Sequence, residues 1–410
     1  MPVRAARRST PAEAVAAIPD GVRCFVNATS GTPFGLLDEL AAQAHRFRSL
    51  ELVAGYLLRA PAPFALAEPD GPFRITTTQA SGATRSLARA GVLRIVPAKY
   101  SDYAWLFSPP SPLACDVALV QVSAPGPEGR VSLGATVGAA VEVVRTASLV
   151  IGQVNPQMPY TFGEGELPLD AFDHLVEIDE PLAELPSATA DEVTRRVAEH
   201  AAALVPDGAT IQFGIGALPE AILGLLAERR GLRVHSGMIA GSCAELVARG
   251  AIEGDLVAAE VIGDRALLDW VHRNPRVRLV RASVSHGIAG LAAVEGLVGI
   301  NSTVEVALDG SANSEIVNGE VISGPGGAPD YAFGAAHGIL ALPSTAAGGT
   351  VSRIVRRLEP PARTTIPGYL VDRVVTEHGV AALRGLPLRE RAEVLAAIAA
   401  PAFRDALLAD

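Results

Sequence analysis

The sequence predicts an α/β protein made of two open, mostly parallel-sheet domains, and three observations predict it. Short apolar runs of strand length alternate with helical patterns along the chain, which is how parallel sheets with crossover helices read. The 410 residues are 49% apolar and only 19% charged, enough to fill two cores at the usual ~100–200 residues per domain. A cluster of acids and prolines ending near residue 185 separates two stretches of comparable size, giving an N-terminal α/β domain over 1–185 and a C-terminal α/β domain over 186–410.

The elements follow in order. Arg4, Arg7 and Arg8 precede Ser9-Thr10-Pro11, where a hydroxyl N-cap stands before proline at the first helical position, and Pro19-Asp20-Gly21 supplies the stop. This is a short capped helix, with no apolar leader core. Asp116–Val122 reads as a buried strand running into the turn Ala124-Pro125-Gly126-Pro127-Glu128-Gly129. Ala147–Val154 is a second, ending at Asn155-Pro156-Gln157-Met158-Pro159. Glu164, Glu166, Asp170, Asp173, Glu177, Asp179, Glu180 and Glu184, interleaved with Pro168, Pro181 and Pro186, then predict an exposed acidic connector, unless they form a solvated edge of one continuous domain. Thr189-Ala190-Asp191-Glu192 has the form of a capping box and opens a helix whose apolar face runs Val193, Val197, Ala201, Leu204.

Composition excludes several chemistries. Acids outnumber bases 44 to 34, a net charge of −10, which disfavours a nucleic-acid partner. Of the bases only Lys99 is lysine. It lies in Pro97-Ala98-Lys99-Tyr100 without the glycine frame of a phosphate loop, and a Schiff base would have no other lysine to use. Cys24, Cys115 and Cys243 are scattered, so neither a disulfide framework nor a metal site is expected, and a reducing, cytoplasmic setting is the default. No apolar stretch reaches the ~18 residues of a membrane span.

Glycine marks the candidate site. Thr210-Ile211-Gln212-Phe213-Gly214-Ile215-Gly216-Ala217-Leu218-Pro219-Glu220 is a strand entering Gly-x-Gly and then a helix, whose N-terminal N–H groups can face an anion or a carbonyl oxygen; the other reading is a tight turn and nothing more. Pro219 stands where a dinucleotide fingerprint has its third glycine. A second glycine cluster, Ser323-Gly324-Pro325-Gly326-Gly327, follows another strand-like run, and two glycine-rich strand ends in one domain suggest a shared crevice.

These motifs, together with Val234-His235-Ser236, Ile300-Asn301-Ser302, Gly310-Ser311-Ala312-Asn313-Ser314-Glu315, Ser352-Arg353-Ile354-Val355 and Val375-Thr376-Glu377-His378-Gly379 through Gly385, resemble the acetyl-CoA hydrolase/transferase family, which includes 4-hydroxybutyrate and acetate CoA-transferases. The order and approximate spacing match across most of the second half; the first half contributes little. The resemblance implies the two-domain CoA-transferase fold, an acyl-CoA substrate with a small carboxylic acid as acceptor, no permanently bound cofactor, and no surprise in a homodimer. By resemblance, Gly214, Ile215, Gly216, Ala217 and Leu218, with Ser323, Gly326 and Gly327, line the CoA and oxyanion region. In such transferases a glutamate attacks the thioester and then carries CoA as a glutamyl thioester.

The sequence departs from that pattern at one position. The family's nucleophile follows the His-Ser pair directly, and here His235-Ser236 is followed by Gly237. Glu260, in Val257-Ala258-Ala259-Glu260-Val261-Ile262-Gly263, interrupts an apolar strand near its end and is the candidate replacement; the alternative is a glutamate paired to Arg265 or Arg281. His235 or Glu260 could instead serve as general base in thioester hydrolysis, with His235 otherwise a structural strand-end histidine. A third reading is a protein that binds acyl-CoA without turning it over. Glu315 and Glu377 also sit in family-like motifs, where structural or substrate-orienting roles stand beside a nucleophilic one.

Overall fold

Strands buried on both faces of a parallel sheet are written as unbroken aliphatic runs. Two largely aliphatic stretches, interrupted by Gln121, Gly152 and Gln153, lie side by side in the computed structural model, which describes residues 6–186 and 189–409. Val117–Val122 and Leu149–Val154 pair in parallel, Val117 opposite Leu149 and Val122 opposite Val154.

The chain forms two units. The first takes the residues up to Leu185 together with Val257–Ser285; the second takes Pro186–Leu256 and the residues from His286 onward. The first unit holds an eight-stranded sheet in the order Arg7–Arg8, His174–Glu177, Leu149–Val154, Val117–Val122, Arg23–Val26, Leu50–Ala54, Phe73–Thr77, Leu93–Ile95. Every neighbouring pair is parallel. The carboxyl ends of its central strands carry a buried polar network. Gln153 donates to Gln121 (3.0 Å) and Glu180 (2.6 Å), and Asn155 donates to Gln121 (2.7 Å).

Three local expectations meet the structure differently. Thr10 caps the helix Pro11–Ala16 in a full capping box with Glu13, while Arg4 lies outside the described residues. The acidic stretch is no exposed connector: His174–Glu177 is a sheet strand, and Leu167, Phe172, Leu175 and Val176 are buried between the acids. Several acids are tied down, Glu166 accepting from the Tyr160 hydroxyl (2.9 Å) and the Gly163 N–H (3.1 Å). The capping box expected at Thr189 is replaced by an N-cap at Asp191, whose carboxylate accepts the Thr194 N–H at 2.8 Å. Helix Glu192–Ala203 therefore starts later than expected; it buries Val197, Ala198, Ala201 and Ala202 and leaves Val193 exposed.

In the second unit the strands run Gly379–Ala382, Arg373–Thr376, His337–Ala341, Leu297–Ser302, Thr210–Phe213, Leu232–Ile239. All pairs are parallel except the terminal hairpin, where Thr376 faces Gly379. One buried cluster of this unit gathers Val306, Leu340, Leu342, Ile354, Ile366, Val374 and Leu395. From Thr210–Phe213 the order proceeds one way to Leu232–Ile239, and from its other neighbour, Leu297–Ser302, the opposite way. Such a reversal opens a crevice at the carboxyl ends of the two strands, the usual ligand position in open α/β sheets.

Candidate functional site

The Gly-x-Gly motif stands at this reversal. Gly214, Ile215 and Gly216 leave the end of the strand Thr210–Phe213, and Ala217–Gly224 is the helix that follows. Gly216 precedes the helix with φ of +116°, a conformation that side-chain-bearing residues rarely adopt, and nothing lies within 4 Å of where its Cβ would stand. Glycine is demanded here by the backbone angle, not by crowding. No side chain caps this helix, so its first N–H groups remain available for an anion or a carbonyl oxygen. Gly214 through Ala217 are half-buried and Leu218 is buried beneath them.

The two strands of the reversal are joined by buried side chains. Gln212 and Asn301 exchange amide hydrogen bonds of 3.2 and 3.1 Å. Ser236, fully buried on the neighbouring strand, lies 3.3 Å from both the N–H and the carbonyl of Phe213. In the His235-Ser236 pair the serine thus has a structural role, while His235 is half-buried on the same strand.

The second glycine cluster closes on this strand through one imidazole. A Cβ on Gly237 would lie 3.0 Å from Nε2 of His286, and one on Gly327 would lie 2.6 Å from the same nitrogen. The His286 ring rests against Tyr331 with centroids 4.9 Å apart. Burial, with His235 nearby, pushes His286 down to about 3, so the ring is neutral at physiological pH. Gly326 takes a left-handed φ of +55° and Gly327 leads into helix Ala328–Gly334, while Ser323 donates to the Gly324 carbonyl at 3.2 Å. His286 and Tyr331 are the residues that sequence reasoning missed. A histidine and a tyrosine in apolar surroundings read as core, and no local motif ties either to Gly237.

Glu260 belongs to the first unit. It is 7% exposed, near the end of the strand Ile252–Val261. The backbone of Ala135–Gly138 runs against it: Val261 donates to Ala135 (2.7 Å), Val137 donates to Ala259 (3.0 Å), and Thr136 bridges Glu260. Its carboxylate accepts from the hydroxyls of Tyr100 and Thr29. Gly138 makes room for this pair, because a Cβ there would run into the Tyr100 phenol. Thr29 holds a φ of +51°, uncommon for a β-branched residue. Burial pushes Glu260 up to about 6 against the pull of the two hydroxyls. The expected arginine partners are engaged elsewhere, Arg265 with Asp269 (2.6 Å) and Arg281 with Glu164 (3.4 Å) and Glu142 (3.7 Å). Hydroxyls, and not a guanidinium, satisfy this buried acid.

The remaining acids are fixed by neighbours. Glu315 accepts from Thr365 (2.9 Å) beside Arg363, and Glu377 accepts both the N–H (2.8 Å) and the hydroxyl (2.6 Å) of Ser344.

Known proteins share this architecture. Residues 6–186 match the model of the acetyl-CoA hydrolase/transferase N-terminal domain, and residues 263–410 that of the C-terminal domain. The chain is 34% identical to the 4-hydroxybutyrate coenzyme A transferase of Clostridium kluyveri, covering 97% of this chain and 96% of that one. It is 30% identical to the succinyl-CoA:cyclohexane-1-carboxylate CoA transferase of Geobacter metallireducens, over 97% and 93% of the two chains. The solved structure of RipA from Yersinia pestis superimposes with a TM-score of 0.90 at 28% identity, covering 97% of this chain and 95% of that one. With both halves matched and the similarity running nearly end to end, this chain belongs to the acetyl-CoA hydrolase/transferase family.

Proposed function

We propose that this chain acts on an acyl-CoA thioester and moves its CoA to a small carboxylic acid, with Glu260 carrying the covalent stage in place of a residue at position 237. The observation that carries this reading is the Glu260 carboxylate, buried, held by the hydroxyls of Tyr100 and Thr29, and raised to about 6. A carboxylate with a raised pKa is ionised at neutral pH yet more basic than an exposed one, which suits a nucleophile. One oxygen attacks the thioester carbonyl carbon, and the C–S bond breaks to give a mixed anhydride and CoA thiolate. The thiolate then attacks the glutamyl carbonyl, releasing the first carboxylate and leaving a glutamyl-CoA thioester for the acceptor acid. Within the second unit, the Gly214–Leu218 turn, with Ser323, Gly326 and Gly327, offers backbone N–H groups to the anionic part of CoA. Arginines and backbone amides, rather than the lone Lys99, hold the CoA phosphates.

The experiment is intact-protein mass spectrometry after mixing the full chain with acetyl-CoA or butyryl-CoA. A glutamyl-CoA adduct that disappears in Glu260→Gln supports this route, and an adduct unchanged in that variant removes Glu260 from it.

A second reading, thioester hydrolysis, is favoured by one specific observation: position 237 has no side chain, and an imidazole nitrogen stands where one would project. Release of free acid without an acceptor separates hydrolysis from transfer. Tight acyl-CoA binding with neither outcome would identify a silent binding protein.

A further inference from the structure

The glycine cluster Ser323–Gly327 is entered from a very small hairpin. Ile316–Val317 and Glu320–Val321 form a two-stranded sheet of their own, Ile316 facing Val321 and Val317 facing Glu320. Asn318 and Gly319 turn the corner with φ of +51° and +80°, the left-handed pair of a two-residue hairpin turn. A two-stranded hairpin on its own is only marginally stable, so its orientation has to come from its base. That base is Glu315, which is bonded at three points. Its N–H donates to the side-chain oxygen of Asn313 at 3.0 Å. Its carbonyl accepts the N–H groups of Ile322 (2.8 Å) and Ser323 (3.4 Å), where the outgoing strand becomes the glycine cluster. Its carboxylate accepts from the Thr365 hydroxyl at 2.9 Å and lies 3.6 Å from the Arg363 guanidinium. Glu315 is 3% exposed, and Thr365 is held in turn by its own N–H on the Ala312 carbonyl (2.9 Å) and by the Ser314 N–H on its hydroxyl (3.0 Å). The carboxylate thus anchors the hairpin to a segment 50 residues further on. The cluster has few anchors of its own: the Ser323 hydroxyl bonds only to the adjoining Gly324 carbonyl, and the glycines offer no side chains. The path of its N–H groups is set at its two ends, by Glu315 on one side and by helix Ala328–Gly334 on the other.

We propose that Glu315 is a positioning residue, which acts through the Ile316–Val321 hairpin to fix where the N–H groups of Ser323–Gly327 stand and so sets the affinity for CoA. This rests on the reading above in which that cluster faces the anionic part of CoA. Thr365 is the buried half of the clamp. Arg363, which is exposed, supplies the half that salt screens.

The test measures, on the full chain, the dissociation constant of free CoA by calorimetry, together with KM and kcat for butyryl-CoA with acetate as acceptor. Calorimetry needs no turnover, so the test stands whichever reaction the chain performs. The variants are Glu315→Ala, Glu315→Gln and Thr365→Val. In Glu315→Ala, CoA binding should weaken and KM rise by at least about tenfold while kcat stays within about threefold, since a small misplacement of a binding group is enough for such a loss. Glu315→Gln keeps an oxygen for the Thr365 hydroxyl and should recover most of the affinity. Thr365→Val is close in shape and should weaken CoA binding in the same direction, which keeps the test open if Glu315→Ala does not fold. An unchanged CoA dissociation constant in Glu315→Ala, or in Thr365→Val where the first variant does not fold, overturns the proposal. A lowered kcat with KM and CoA affinity unchanged, the mark of fewer folded molecules, makes Glu315 a packing residue and overturns it as well. Gly326→Val puts a β-branched residue at a φ of +55° inside the cluster and tests the underlying reading separately. Unchanged CoA affinity in that variant removes the cluster from CoA binding, whatever Glu315 does.

Discussion

Gln212 and Asn301 face each other across adjacent parallel strands and exchange two amide hydrogen bonds, 3.2 and 3.1 Å long, where the strand order of the second unit reverses. Asn301→Leu removes one partner and strands the other, so it should cost about 1–3 kcal/mol, the usual penalty for an unsatisfied buried polar group. Adding Gln212→Met should cost less than the sum of the two single changes. Urea unfolding of the four members of this cycle gives the coupling directly.

Gly216 should resist even the smallest side chain. Nothing occupies the space beside it, so Gly216→Ala tests its φ of +116° alone. The expected loss is about 1–3 kcal/mol, read from the urea midpoint, together with weaker acyl-CoA binding by calorimetry as the turn before the helix N-terminus shifts.

Glu260 makes stability depend on pH in a defined direction. Its folded-state pKa is raised from the ordinary 4.5 to about 6, so between these values the folded chain holds the proton more tightly than the unfolded chain. This contribution is fully present below pH 4.5 and is lost as pH rises through about 6. Relative to Glu260→Gln, the wild type should therefore lose on the order of 2 kcal/mol between pH 4.5 and 7.5. Tyr100→Phe removes a donor to the charged form and should raise the carboxyl further, moving the transition to higher pH. Chemical denaturation across the pH range checks both.

Placing a carboxylate at position 237 should fail alone and succeed with a second change. Gly237→Glu places its Cβ 3.0 Å from His286 Nε2, tighter than ordinary packing. The single variant should be destabilised and form no glutamyl-CoA adduct at residue 237. Gly237→Glu with His286→Ala frees the volume of the ring and should form that adduct from butyryl-CoA, located by peptide mass spectrometry.

Much of the architecture was legible because buried parallel strands are dominated by aliphatic residues, as in Val117–Val122 and Leu149–Val154. The acidic segment was misread because its acids sit on turns and strand ends while Leu167, Phe172 and Val176 go inward, a short alternation easily hidden by charge. The cap at Asp191 was missed because Asp191 and Thr189 are both sound N-caps, and only the helix's buried face separates them. Glycine spacing marked the turn at Gly214–Gly216, because backbone conformation is a local demand. The surroundings of Gly237 were illegible for the opposite reason: His286 and Tyr331 reach it through tertiary folding, and a histidine among apolar residues carries no local mark.

The segment Val257–Ser285 gives biosynthesis a particular order. It completes the first unit, supplying Glu260 to Tyr100 and Thr29, yet it is made only after Pro186–Leu256 of the second. A nascent chain that has just cleared residue 186 still lacks the strand that Ala135–Gly138 hydrogen-bonds, and the second unit has by then scarcely begun. At about 5–20 residues per second, the ribosome spends several seconds with both units unfinished. Strict N-to-C maturation, one unit sealed before the next appears, is closed to this chain, and a fragment ended at residue 186 should emerge with the backbone groups of Ala135–Gly138 unpaired and a need for chaperones.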